Sequence, residues 1–245
     1  MQLLDLTLPL PAENLALDEA LLAACEAGEI AGGVLRVWEP QKYFVVLGRS
    51  SDPTVEVNLA ACRREKIPIL RRASGGGTIL AGPGCLMYAV VVDFHDQPEL
   101  KSIPRAHQFV LNHIAASLAP SVPGITVAGT SDLAFHSSGA LQKFSGNALR
   151  MKRTHFLYHG TLLYDFDLER VSQLLASQTR EPDYRSNRPH GDFIANLPMR
   201  RAQIITALTL GWQVNQKLEP WPRERMQQIV KEKYISDPRW AIHPS

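Results

Sequence analysis

The stretch from residue 125 to residue 164 leaves a folding chain few choices. Four runs rich in β-branched, aromatic and leucine residues follow one another there: Ile125–Val127, Leu133–Phe135, Lys143–Arg150 and Phe156–Tyr164. Only short connections separate them. A parallel return needs a crossover of about a dozen residues or more, so these runs must pair antiparallel. Upstream, Gly33–Glu39 alternates, Tyr43–Leu47 and Leu86–Asp93 are short apolar runs, and Pro68–Arg72 reads as a further strand. Helices are predicted at Leu15–Ala27, Leu59–Glu65, Ile103–Leu118, Asp167–Ala176, Arg200–Leu210 and Arg223–Tyr234. In the first, Leu17, Leu21, Leu22 and Cys25 make the apolar stripe, Asn14 is the expected N-cap and Gly28 follows the end. Residues 75–84 read as a glycine-rich turn region, and residues 177–198 as a long polar loop. The prediction is an α+β fold with one mixed, largely antiparallel sheet flanked by helices, in a single domain over 1–245.

Composition narrows the class of function. Hydrophobic residues are 45% and charged residues 20%, which excludes a disordered chain. Lys and Arg number 26 against 24 Asp and Glu, a net +2, too balanced for a dedicated nucleic-acid protein or a polybasic membrane binder. Cys25, Cys62 and Cys85 form no CxxC pair and suit neither zinc nor a disulfide framework; buried, reduced thiols are expected. The run Cys85–Val92 is far short of the ~20 residues that span a bilayer. With no basic segment before Pro11, a cytoplasmic protein is expected.

Three segments carry candidate chemistry. The first is RRASGGGTILAGPGCLMY, residues 71–88, which opens with RRASGGGT: Arg71, Arg72, Ala73, Ser74, Gly75, Gly76, Gly77 and Thr78. Consecutive glycines let backbone N–H groups close on an anion, and two flanking arginines favour phosphate or carboxylate. Because side chains alternate along a strand, only one of the two arginines can face the ligand. A Walker loop is excluded, since Pro83-Gly84 stand where Lys-Ser/Thr belongs. A Rossmann turn is excluded because the segment runs into a strand rather than a helix.

The second is QKFSGNALRMKR, residues 142–153, with KFSGNALR at 143–150; alternation puts Lys143 and Ser145 on one face and Phe144 on the other. Gly146 suggests a bulge or a close ligand approach. The third is HFLYHGTLLYDFD, residues 155–167, with HGTLL at 159–163. His155 and His159 lack a third metal ligand, so a hydrogen-bonded His159 beside Gly160 is expected. The residues around Ser74 and Ser131 do not fit G-x-S-x-G.

Together with NLALDEALL (14–22) and the Asp132-Leu133 pair, these segments resemble the lipoate–protein ligase A family, within the group of biotin ligases, lipoate ligases and octanoyltransferases. The motifs fall in order and cover about residues 14–165. The resemblance implies a biotin-synthetase-like fold related to class II tRNA-synthetase cores. It implies that lipoate or octanoate attacks ATP, with Mg²⁺ present, to give an acyl-adenylate. A lysine of a lipoyl domain then captures the acyl group, on a 2-oxoacid dehydrogenase complex or the glycine-cleavage H protein.

Carried onto this chain, Lys143 is the signature lysine. Arg71, Arg72, Ser74, Gly75, Gly76, Gly77, Thr78, Ser145, Gly146, Asn147, Ala148, His159, Gly160 and Thr161 contact substrate or nucleotide, and Asp132 holds Mg²⁺. Two departures stand out. The histidine that many members carry soon after the glycine run is replaced by Ala81-Gly82-Pro83-Gly84, and the chain ends without a C-terminal accessory domain, which suggests a separate accessory subunit. Rival readings are an ATP-independent octanoyl or lipoyl transferase using a cysteine thioester, a biotin ligase, and a non-catalytic lipoyl-domain binder.

Overall fold

A computed structural model of the chain describes residues 1–137, 139–176 and 193–242. Most of the loop expected at 177–198 therefore lies outside the described residues. The strands are β1 (Gln2–Asp5), β2 (Val34–Trp38), β3 (Phe44–Leu47), β4 (Ile69–Arg71), β5 (Ile79–Ala81), β6 (Cys85–Asp93), β7 (Thr126–Ala128), β8 (Asp132–Ser137), β9 (Ala140–Met151), β10 (His155–Leu163), β11 (Gln216–Lys217) and β12 (Ala241–Ile242). The helices are α1 (Pro11–Glu26), α2 (Pro53–Glu56), α3 (Leu59–Glu65), α4 (Ile103–Leu118), α5 (Glu169–Leu174), α6 (Arg201–Gly211) and α7 (Arg223–Ile229). The last runs on into a π-helical turn, Val230–Ile235.

The fold is α+β, and its main sheet runs β11-β1-β2-β6-β10-β9-β8-β7. Strands β2, β6, β10, β9, β8 and β7 pair antiparallel in succession; only β1 pairs in parallel, with β2 and β11. A mixed, largely antiparallel sheet is thus as expected. A second sheet, β12-β4-β3-β5, was not. Strands β2 and β3, which flank Pro40, belong to different sheets, and β5 lies inside the presumed turn region.

Central strands β6 and β10 are buried along almost their whole length. Successive side chains of β6 serve opposite cores: Met87, Ala89 and Val91 face α1, while Tyr88, Val90 and Val92 face the α4 side. Burying each such aliphatic side chain stabilises the fold by about 1.5–3 kcal/mol before entropy is counted. Helix α1 starts earlier than predicted. Pro11 takes the first helical position, where its missing N–H costs nothing, and Leu10 precedes it as N-cap. Asn14 is inside the helix, and its Nδ2 reaches back to the carbonyls of Leu8 at 2.8 Å and Leu10 at 2.9 Å.

Candidate active site

Helix α1, both sheets and the glycine run converge on one cavity of about 310 Å³. Of the residues expected there, Arg72, Gly76, Gly77, Thr78, Asp132 and Lys143 line it, as do Gly146, Asn147, Ala148, His159 and Gly160.

Lys143 owes its position to a bulge. In the β8–β9 pairing it faces Ala134 whereas Ser145 faces Leu133, so Phe144 has no counterpart. Phe144 is fully buried in the core on the α4 side, while Lys143 and Gly146 both line the cavity. The expected alternation is corrected accordingly: Ser145 does not share the cavity wall with Lys143, because the extra residue breaks the two-residue period. Ser145 is buried and its Oγ accepts from Asn147 Nδ2 at 3.1 Å. Lys143 Nζ instead meets Asp132 Oδ1 at 2.8 Å, within a partly exposed pair. Beyond the undescribed segment the chain returns beside this lysine, with Ala195 donating its N–H to the Lys143 carbonyl at 2.9 Å.

Asn147 ties the floor to the loop before β8. Its Nδ2 donates to the Ser131 carbonyl at 2.8 Å and its Oδ1 accepts from Tyr88 Oη at 2.5 Å. The side chain occupies the space over Gly160, where any Cβ would lie 1.8 Å from Asn147 Oδ1. Thr161 does not line the cavity; its Oγ1 accepts the Gly146 N–H at 3.2 Å and so holds the bulged strand to β10.

The two arginines divide as alternation requires. Arg71 points away, its guanidinium bound to the carbonyls of Gly48 (2.7 Å), Ser51 (2.9 Å) and Arg239 (2.9 Å). Arg72 is buried against the cavity and organises the glycine run. Its Nη2 donates to the carbonyls of Gly75 and Gly77, its Nη1 to Val46, and its Nε to Ser74 Oγ at 3.0 Å. Burial pushes its guanidinium down to about 10, opposed by Glu56, so it is a cation at neutral pH. The run turns at Gly76, whose φ of +84° is the left-handed conformation that glycine adopts without strain. Glu56 Oε2 accepts from both the N–H and the hydroxyl of Thr78, at 3.1 and 2.6 Å. Ser74 and Gly75 lie behind this surface rather than on it.

Sequence reasoning missed two parts of the site. Leu15, Val46, Ile79 and Met87 give the cavity an apolar wall. Asp18 lines it too, buried, with Oδ2 3.3 Å from His159 Nδ1. The available signal was an acid on the apolar stripe of α1, three residues after Leu15 and four before Leu22.

Among the described residues no group of three or more His, Cys, Asp or Glu side chains could hold a metal ion. The Asp132 carboxylate at the cavity wall does suit Mg²⁺, which takes one or two carboxylates and completes its shell with substrate phosphates and water. All three cysteines are buried free thiols, as expected. No described helix is long and apolar enough to cross a membrane.

The chain is similar to several known proteins. A relative from Mycoplasma pneumoniae named a probable lipoate-protein ligase A is 29% identical over 166 residues, 68% of this chain and 46% of its own length. The chain spans about half the length of the curated relatives it matches first. The bipartite lipoate protein ligase of Thermoplasma acidophilum, from a structural study of that enzyme and its E2 lipoyl domain, superposes with a TM-score of 0.79. It is 20% identical, with 97% of this chain and 94% of that chain covered. A lipoate-protein ligase A crystallised with ATP gives a TM-score of 0.75 at 21% identity, covering 97% and 96%. At such identities the likeness establishes the fold. The family model for the lipoyl protein ligase A/B catalytic domain matches residues 10–206, and the chain belongs to that family.

Proposed function

We propose that the chain is the catalytic unit of a lipoate–protein ligase, which activates lipoate or octanoate with ATP and transfers the acyl group to a lysine of a lipoyl domain. One observation carries the reading: an ammonium (Lys143), a glycine run held open by a buried arginine (Arg72), and an apolar wall share one cavity.

The chemistry needs those three things together. In the first step a carboxylate oxygen attacks the α-phosphorus of ATP and pyrophosphate leaves. Negative charge gathers on the phosphoryl oxygens, where fixed cations and N–H dipoles in a water-poor site stabilise it. Lys143 is a compact cation able to bridge the acyl carbonyl oxygen and the α-phosphate, so its contact can strengthen as charge develops. Gly76 and Gly77 bring backbone to the phosphates without side chains in the way. Leu15, Val46, Ile79 and Met87 are suited to hold the acyl chain. Mg²⁺, when bound, would neutralise phosphate charge, with Asp132 and the nucleotide's own oxygens as its holders.

The family resemblance and the Thermoplasma enzyme suggest the partners in this reading. The Thermoplasma enzyme was studied with an E2 lipoyl domain and is bipartite. A lipoyl domain of a 2-oxoacid dehydrogenase complex or of the glycine-cleavage H protein is the proposed acceptor, and a separate accessory subunit is a proposed second partner. The cysteine-thioester transferase finds less support. Cys85 is fully buried and desolvation raises its thiol far above the usual range.

The test is isotope exchange between ATP and pyrophosphate, with lipoate or octanoate added. Acid-dependent exchange is expected. No exchange, with acyl transfer from an acyl-carrier thioester instead, would select the transferase.

A further inference from the structure

One row of residues crosses the cavity floor from its polar end to its apolar end. Asp132 on β8 pairs with Gly146 on β9. The Gly146 N–H donates to Thr161 Oγ1 on β10, Thr161 pairs with Met87 on β6, and Met87 pairs with Trp38 on β2. Residues opposite one another on neighbouring strands share a face of the sheet, so the row runs straight across four strands from Gly146 to Trp38.

The first half of the row is low. Lys143 Nζ stands over Gly146, 3.0 Å from where a Cβ would lie. The Thr161 hydroxyl is turned onto the Gly146 N–H, and Thr161 does not line the cavity. Ala148 and Gly160, which do line it beside the row, are as small. Past Gly146, Met87 is the first side chain of the row to face the cavity. Behind Met87 the row is closed. Trp38 is fully buried and does not line the cavity, and Cys85 Sγ donates to Met87 Sδ at 3.7 Å. Val46 and Ile79, a cross-strand pair of the second sheet, complete the apolar end with Leu15 of α1.

The length of this floor matches one size of acyl chain. Met87 is two strands from Gly146, and at about 4.8 Å per strand the gap is about 10 Å. An extended octanoyl chain, with C–C bonds near 1.5 Å, reaches about 9 Å from its carbonyl carbon. Lipoyl has the same carbon chain, with the dithiolane at its far end. A dodecanoyl chain needs about 5 Å more.

We propose that Met87 is the specificity-determining residue that ends the acyl pocket, so that the site takes octanoyl and lipoyl chains and turns away longer ones. The inference rests on the acyl-adenylate reading above, which puts the acyl carbonyl at Lys143. The far carbons then meet the Met87 thioether, whose flexible, polarizable chain packs against either an alkyl end or a dithiolane.

Two variants move the end of the pocket in opposite directions. Met87→Ala removes Cγ, Sδ and Cε and leaves space continuous with the pocket. Met87→Phe fills the same place with a rigid ring. Acid-dependent ATP–pyrophosphate exchange is measured with hexanoate, octanoate, decanoate and dodecanoate. Calorimetry measures binding of the matching acyl-sulfamoyl adenosines.

Wild type is expected to favour octanoate over decanoate by about 10-fold or more in kcat/KM, the scale of misfit methylenes in an apolar pocket. The decanoate-to-octanoate ratio should rise about 10-fold in Met87→Ala, and the hexanoate-to-octanoate ratio by a similar factor in Met87→Phe. The analogue affinities should follow the same order. A purely structural role would lower all acids together and leave the ratios alone. Unchanged ratios in the variants, or a wild type that uses dodecanoate as well as octanoate, overturns the proposal; if one variant folds poorly, the other decides. A wild type without acid-dependent exchange refutes the ligase reading instead, and the calorimetric series still decides whether Met87 sets the length.

Discussion

Lys143 Nζ stands 2.8 Å from Asp132 Oδ1, across a pair of strands that a bulge has shifted by one residue. Without the shift, Lys143 would share a face with Ser145 and its ammonium would lose the cavity. The pair keeps a cation at the cavity wall before any ligand arrives, so less ordering is left for the binding step.

Lys143→Ala is expected to abolish acid-dependent exchange and acyl transfer while leaving the fold intact. The pair is partly exposed, and such pairs contribute about 1 kcal/mol or less. Urea melts should show a midpoint close to the wild type. Normal turnover on a lipoyl-domain acceptor would remove Lys143 from the reaction.

Asp132→Asn keeps the side-chain shape and deletes the charge. Adenylate formation should fall about 10- to 100-fold, the scale of a lost group at a metal site, and half-maximal exchange should need more Mg²⁺. Titrating Mg²⁺ against exchange rate checks this. An unchanged Mg²⁺ requirement would show that Asp132 holds only the lysine.

Gly160→Ala places a methyl 1.8 Å from Asn147 Oδ1, and β10 cannot give way between β6 and β9. Overpacking of this kind costs about 1–3 kcal/mol. Denaturant unfolding should show that loss, and exchange should fall because Asn147 releases the Ser131 carbonyl. A variant with wild-type stability and activity would mean the floor is softer than its contacts imply.

The thiols should be unreactive at mildly alkaline pH. Desolvation pushes Cys25 up to about 12 and Cys62 up to about 11, with Asp93 and Glu65 adding to it, and raises Cys85 further still. Because the thiolate is the nucleophile, alkylation of the folded protein at pH 8–9 should be far slower than in urea. Cys85→Ala should retain acyl transfer. Rapid labelling of one native cysteine, with loss of transfer, would revive the thioester route.

The outline of this site was legible because its motifs are local. The bounds predicted for Leu59–Glu65 and Ile103–Leu118 are those the helices have. Strand β5 was hidden because glycines on both sides of Ile79–Ala81 read as turn, although pairing with β3 holds it extended. The bulge at Phe144 could not be read, since it arises from the register against β8. Asp18 stayed invisible for a related reason: its partners His159 and Arg36 are remote in the chain and meet it only through packing against α1.

The most direct test of the central claim is a crystal structure with a non-hydrolysable acyl-adenylate analogue, such as an octanoyl-sulfamoyl adenosine. Its acyl carbonyl and phosphate-mimicking oxygens should lie within hydrogen-bonding distance of Lys143 Nζ, beside Gly76 and Gly77, with the acyl chain against Leu15 and Met87. An analogue bound away from Lys143 and the glycine run would contradict the claim.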